Sequence, residues 1–85
     1  MKKTKKTLFE LVNEVSDEMS FINFLNELRN DKLKSRDWGN TTIEAFLEAS
    51  HEWGKVSVNG LQFYEKPENP WLRCAQIIYM GTIYE

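Results

Sequence analysis

The chain of 85 residues carries 11 Lys and Arg against 13 Asp and Glu, a formal net charge of −2. That balance gives no global electrostatic reason to expect a nucleic-acid partner. A hydrophobic fraction of 41% with 13% aromatics excludes a disordered segment and supplies one core, so the length reads as a single domain over residues 7–85. The only cysteine, Cys74, and the only histidine, His51, rule out an internal disulfide and a cysteine-built metal site, and no cofactor is expected.

Residues 1–6, with Lys2, Lys3, Lys5 and Lys6, read as a flexible basic tail. No apolar run of signal-peptide length follows, because Glu10, Asn13, Glu14 and Asp17 interrupt it. Neither export nor a membrane span is expected, and the localisation that follows is cytoplasmic.

Thr7 and Glu10 have capping-box spacing, and Leu8, Leu11, Val12 and Val15 then recur at helical intervals, which predicts a first helix over 7–15. Ser16 is the cap candidate for a second helix over 17–33, with Phe21, Phe24, Leu25 and Leu28 as its apolar stripe. Residues 35–40 form a loop in which Trp38 is expected to plug the core.

Thr41 and Glu44 open a third helix over 41–53, with Ile43, Phe46, Leu47, Ser50 and Trp53 inward and Gly54 as its terminator. Two alternating runs then flank Asn59-Gly60, which predicts a β-hairpin over 55–64.

Asn69 as cap and Pro70 in the first turn start a last helix over 70–84. Trp71, Cys74, Ala75, Ile78 and Thr82 share one face, and Arg73, Gln76, Ile77, Met80 and Tyr84 share the other. A helix apolar on nearly every side belongs at the centre. The expected fold class is therefore mainly α: a compact four-helix domain with a small β-hairpin between the third and fourth helices.

The sequence reveals no reaction and no substrate. Nucleophilic catalysis needs a nucleophile and a base within reach. The one available pairing, Cys74 with His51, falls on an inner and an outer face. The four glycines, Gly39, Gly54, Gly60 and Gly81, are too dispersed for a phosphate-binding loop. No catalytic residue is assigned and the chain is not expected to be an enzyme.

Two surfaces remain. Glu44, Glu48 and Glu52 follow at i, i+4 and i+8 with His51 among them and no lysine between. A solvated helix face is the bland reading of that stripe. The functional one is a docking surface for a basic protein partner, where complementary charge speeds encounter and fixes register. Ile77, Met80 and Tyr84 on the last helix are either covered within the monomer or form the contact of a homodimer.

The pattern Trp38-x-Asn40-x-Thr42-Ile43-Glu44-x-Phe46-Leu47-Glu48-Ala49, then Trp53, Asn69-Pro70, Ala75 and the ending Ile83-Tyr84-Glu85 resembles a family of small bacterial proteins of unknown function. Residues from Val15-Ser16 to Leu28 resemble its amino-terminal part, so the resemblance spans about residues 8–85. It implies a compact, mainly helical domain and brings no catalytic residues. In size and composition such proteins are similar to immunity and inhibitor proteins of bacterial toxin systems. The chain departs from the pattern in the short, hairpin-like segment after Trp53, where the family continues in helix. It also places Trp71 directly after Pro70 rather than one residue later.

Together these readings describe a small cytoplasmic protein-interaction module, immunity-like, that binds a basic partner through an acidic helix face. The alternative is a self-associating structural or regulatory subunit without catalysis.

Overall fold

A computed structural model describes residues 6–34 and 38–84. The predicted basic tail, Lys6 excepted, lies outside the described residues. Four helices follow in order: α1 (Leu8–Val12), α2 (Glu18–Lys34), α3 (Ile43–Val56) and α4 (Pro70–Gly81). α4 packs against each of the other three, and α1 also touches α2. α2 and α3 lie on different sides of α4, and their backbones do not meet.

The centre of α4 is its small residue. Ala75 is fully buried, and its short side chain lets Val12, Val15, Phe24 and Leu28 close over it as one core. Both ends of the helix are held by asparagine side chains. Asn69 Oδ1 accepts the N–H groups of Trp71 and Leu72, while its Nδ2 donates to the Ser16 carbonyl at 2.8 Å. Asn40 Nδ2 donates to the carbonyls of Gly81 at 3.0 Å and Tyr84 at 2.9 Å. The Gly39 and Asn40 N–H groups reach the Thr82 carbonyl. Carbonyls at a helix end, which lack partners within the helix, are thereby satisfied by the loop that leads into α3.

The other caps follow local chemistry. Thr7 and Glu10 form the expected capping box on α1. On α2 the cap is Asp17 rather than Ser16: Asp17 Oδ1 accepts the Ser20 N–H at 2.9 Å, and Ser20 Oγ accepts the N–H groups of Ser16 and Asp17. On α3 it is Thr42 rather than Thr41, with Oγ1 accepting the Ala45 N–H at 3.0 Å.

The predicted β-hairpin over 55–64 is absent, and no strand occurs among the described residues. α3 runs through Gly54 to Val56, and the chain then turns through residues 57–59. A two-residue hairpin turn of the Asn-Gly kind needs positive φ at both central residues. Here Gly60 has φ 85°, while no non-glycine residue among the described ones has positive φ. Gly60 instead closes a turn at the end of α3, its N–H donating to the Ser57 carbonyl. What remains of pairing is one isolated antiparallel bridge between Leu61 and Tyr64. Gly54 does not terminate α3, because tertiary bonds hold the helix on either side of it.

The two faces of α4 are also distributed differently from expectation. Ala75 and Thr82 are buried, but Cys74 is exposed and Trp71 retains 37% of its surface, its ring 5.6 Å from that of Phe21. The face bearing Arg73, Gln76 and Ile77 is half-buried, and Ile77 lies against Gly54 of α3.

Candidate functional site

Because α2 and α3 flank α4 without meeting, a cleft remains between them. Leu25, Leu28 and Leu33 of α2 form one wall, Phe46 of α3 the other, and Ile78 of α4 the floor. The cleft holds about 410 Å³ and is lined almost wholly by apolar atoms. Trp38 closes one end: its ring stacks on Phe46 at 6.2 Å, and its Nε1–H donates to Asp31 Oδ2 at 2.8 Å. The expected plug is thus also an end wall. By helical periodicity Cys74 and Trp71 continue the floor beyond Ile78.

Arg29 and Lys32 line the cleft from α2, while Glu27, Asp31 and Lys34 of the same helix border a second hollow beside α1. Lys32 Nζ stands 5.9 Å from the Trp38 ring. Exposed apolar side chains extend the lips of the cleft. Ile22 and Leu33 project from α2, and Ile43 and Leu47 project from α3. The Leu33 and Ile43 side chains are about three-quarters exposed, at 76% and 75%.

The acidic residues stand on the outer side of α3, apart from the residues that line the cleft. Glu44, Glu48 and His51 are exposed and Glu52 is half-buried. His51 Nδ1 lies 3.3 Å from Glu52 Oε2, the one ion contact on this face among the described residues. Glu48 and Glu52 also border a shallow hollow with Ala45, Asn40 and Tyr84. Glu48 is exposed and forms no ion pair among the described residues.

Ile77, Met80 and Tyr84 are each half-buried. Ile77 packs on Gly54, and the Tyr84 carbonyl is held by Asn40. A dimer built on this face would have to share it with α3. The apolar surface that α4 leaves open lies on the cleft side instead.

A polar cluster missed by periodicity lies at the far side of α4. Arg73 donates through Nη1 to Ser57 Oγ at 2.9 Å and Tyr64 Oη at 3.1 Å, and through Nη2 to the Gly54 carbonyl at 3.0 Å. Its guanidinium lies 5.3 Å from the Trp53 ring and 5.9 Å from the Tyr64 ring. Tyr64 in turn donates to Gln76 Oε1. This cluster ties the segment after α3 to α4. Its hydrogen bonds are part-buried and run between the segment that follows Trp53 and α4, which makes it an anchor.

Cys74 and His51 are not brought together by any contact. No group of three His, Cys, Asp or Glu side chains among the described residues is placed to hold a metal ion. No helix among them is long and apolar enough to cross a membrane.

No curated protein and no solved structure matches the chain. A family profile, described as a family of unknown function, matches residues 17–85, which span α2 to α4 with both asparagine clasps, the cleft and the acidic face. The chain therefore belongs to the DUF7660 family, a family of unknown function.

Proposed function

We propose that the protein is a cytoplasmic, non-catalytic protein-interaction module that works through the cleft between α2 and α3 and through the acidic face of α3. The observation that carries this reading is the open apolar cleft of about 410 Å³ between two helices that do not meet. A monomer seldom leaves a contiguous apolar surface in water without a use for it. A cleft this open encloses too little of a small ligand, since small-molecule sites bury most of what they bind. A helix or a second protein surface laid along it fits better.

Glu44 and Glu48 add exposed carboxylates on the outer side of α3, beside the His51–Glu52 contact. They suit a basic partner, and an immunity or inhibitor role is the biological form such binding would take. Affinity capture from the native host, with wild type and with Glu48→Lys/Glu52→Lys, tests this. A basic protein retained by wild type, released by salt and lost from the variant is the expected result. Equal retention by both proteins overturns the role of the acidic face.

The alternative, a self-associating subunit without catalysis, draws on the same open apolar cleft, since one self-complementary patch is what a two-fold dimer buries.

A further inference from the structure

We propose that Asn59 is a site of spontaneous covalent modification, at which the Gly60 nitrogen closes on the Asn59 side chain and converts the turn after α3 to an aspartyl or isoaspartyl form. The Asn59-Gly60 pair makes no two-residue hairpin turn here, and it lies outside both the cleft and the acidic face.

The chemistry is intramolecular. The backbone nitrogen of Gly60 gives up its proton to solvent and attacks Cγ of Asn59. A C–N bond forms, the side-chain amide leaves as ammonia, and a five-membered succinimide remains. Water then adds to one of the two ring carbonyls and opens the ring. One opening gives aspartate. The other gives isoaspartate, in which the main chain runs through Cβ and Cγ of the former side chain. The net change consumes one water and releases one ammonia, and nothing is oxidised or reduced.

Three observations select Asn59. The first is its neighbour. Glycine has no Cβ to hinder the attack, and Gly60 is the only glycine that follows an asparagine. The second is placement. Asn59 is exposed and lies between α3 and α4, outside both helices. The Gly60 N–H is engaged by one turn bond, to the Ser57 carbonyl at 2.9 Å. Local opening of a surface turn frees that nitrogen without unfolding a helix.

The third is the state of the other asparagines. Asn23, Asn26 and Asn30 lie inside α2, where the next N–H is committed to a carbonyl four residues back. The Asn13 side chain donates to the Phe9 carbonyl, and that of Asn40 clasps the end of α4. Asn69 precedes Pro70, which has no N–H to attack with.

The products loosen a tie between α3 and α4. A carboxylate at position 59 stands just beyond the end of α3, where the helix dipole disfavours negative charge. The isoaspartyl form also adds a carbon to the main chain between Ser57 and Leu61. That lengthening displaces the Gly60 N–H from the Ser57 carbonyl and disturbs the pairing of Leu61 with Tyr64. Tyr64 carries the hydroxyl that bonds to Arg73 and Gln76, so the disturbance reaches α4.

Incubation of the intact chain at mildly alkaline pH tests the proposal, with peptide mass mapping and with isoaspartyl methyltransferase as the probe for isoaspartate. Wild type is expected to gain the mass difference between an amide and an acid in the peptide that holds Asn59, before any other asparagine changes, and to take up methyl label there. Asn59→Gln, whose longer side chain has to close a larger ring, is expected to convert at least severalfold more slowly. The isoaspartyl form, separated by ion exchange, is expected to unfold at a lower urea concentration than Asn59→Asp, which carries the charge without the added carbon.

Asn59 that stays intact in the folded chain overturns the proposal, and conversion of the same chain in guanidinium chloride would then show that the turn protects it. An acid product without methyl label also overturns it, since direct hydrolysis makes no isoaspartate. An isoaspartyl form that unfolds at the same urea concentration as wild type overturns the loosening of the tie between Tyr64 and α4.

Discussion

The guanidinium of Arg73 stands 5.3 Å from the centroid of the Trp53 ring, and from there it reaches the Gly54 carbonyl and the Ser57 hydroxyl. One side chain of α4 thus binds both the last turn of α3 and the turn that follows it. This contact keeps α3 helical past Gly54, whose helix propensity is about 1 kcal/mol worse than alanine's. Arg73→Ala is expected to lower stability by about 2–4 kcal/mol, from the lost charged hydrogen bonds and the lost cation–π contact. Arg73→Lys should recover only part of this, because an ammonium lacks the planar fork that meets three acceptors at once. Urea unfolding of the three proteins decides it. A loss below about 1 kcal/mol for Arg73→Ala would show that the cluster is peripheral.

Gly81 and Ser50 mark the closest approach of α3 to α4. A Cβ on Gly81 would lie 2.0 Å from Ser50 Oγ and 2.8 Å from the Phe46 ring. The Ser50 hydroxyl is itself buried with no hydrogen-bond partner among the described residues. Ser50→Ala is therefore expected to raise stability by roughly 1 kcal/mol, since an unsatisfied buried hydroxyl is destabilising. Gly81→Ala should lower it by about 1–3 kcal/mol through overpacking. The two changes share a contact, so the loss from Gly81→Ala should be smaller when Ser50 is already alanine. Additive losses in denaturant melts would contradict the geometry.

Asp17 gives the fold a pH dependence of known sign. The Ser20 N–H and then the Ser20 hydroxyl donate to its carboxylate, and together they hold its pKa below the ordinary 3.8. Because the folded value is depressed, the stabilisation is fully present above the unfolded value and is lost as pH falls through the folded one. The stability gap between wild type and Asp17→Ala should thus be constant above about pH 4 and should narrow as pH falls below the ordinary carboxylate range. A gap that widens on acidification would show that Asp17 does not cap α2.

The elements legible in the sequence were those set by local chemistry. Thr7 with Glu10, and Asn69 with Pro70, start their helices as their side chains dictate. The central place of α4 followed from its apolar circumference. The segment 55–64 was not legible, because Asn59-Gly60 serves hairpin turns and helix ends alike. The tertiary pull of Arg73 on Gly54 decides between them. The exposure of Cys74 and Trp71 was hidden for a related reason. Periodicity identifies faces but not which neighbour covers each one, and α3 docks on the face of Ile77 rather than on that of Cys74.

The cleft had a partial signal. Apolar residues on α2 from Phe21 to Leu33 occupy an arc wider than the roughly 100° that one core needs. Leu25 and Leu33 could therefore have been read as a second surface. The motif residues Asn40 and Asn69 turn out to hold the two ends of α4 through side-chain hydrogen bonds, while Trp38 bonds to Asp31 of α2. The spacing of the acidic residues on α3 was visible in the sequence, and the structure adds that Glu48 and Glu52 border a hollow with Asn40, Ala45 and Tyr84.

The central claim is that protein binding occurs at the cleft lips. Photo-crosslinking tests it most directly, with a photoreactive amino acid placed in turn at Leu33, at Leu47 and at Lys66 in the turn before α4, and the protein produced in its native host. The account predicts discrete adducts from Leu33 and Leu47, to a second copy or to a partner protein, and none from Lys66. Adducts from Lys66 alone, or none from either lip, would contradict it.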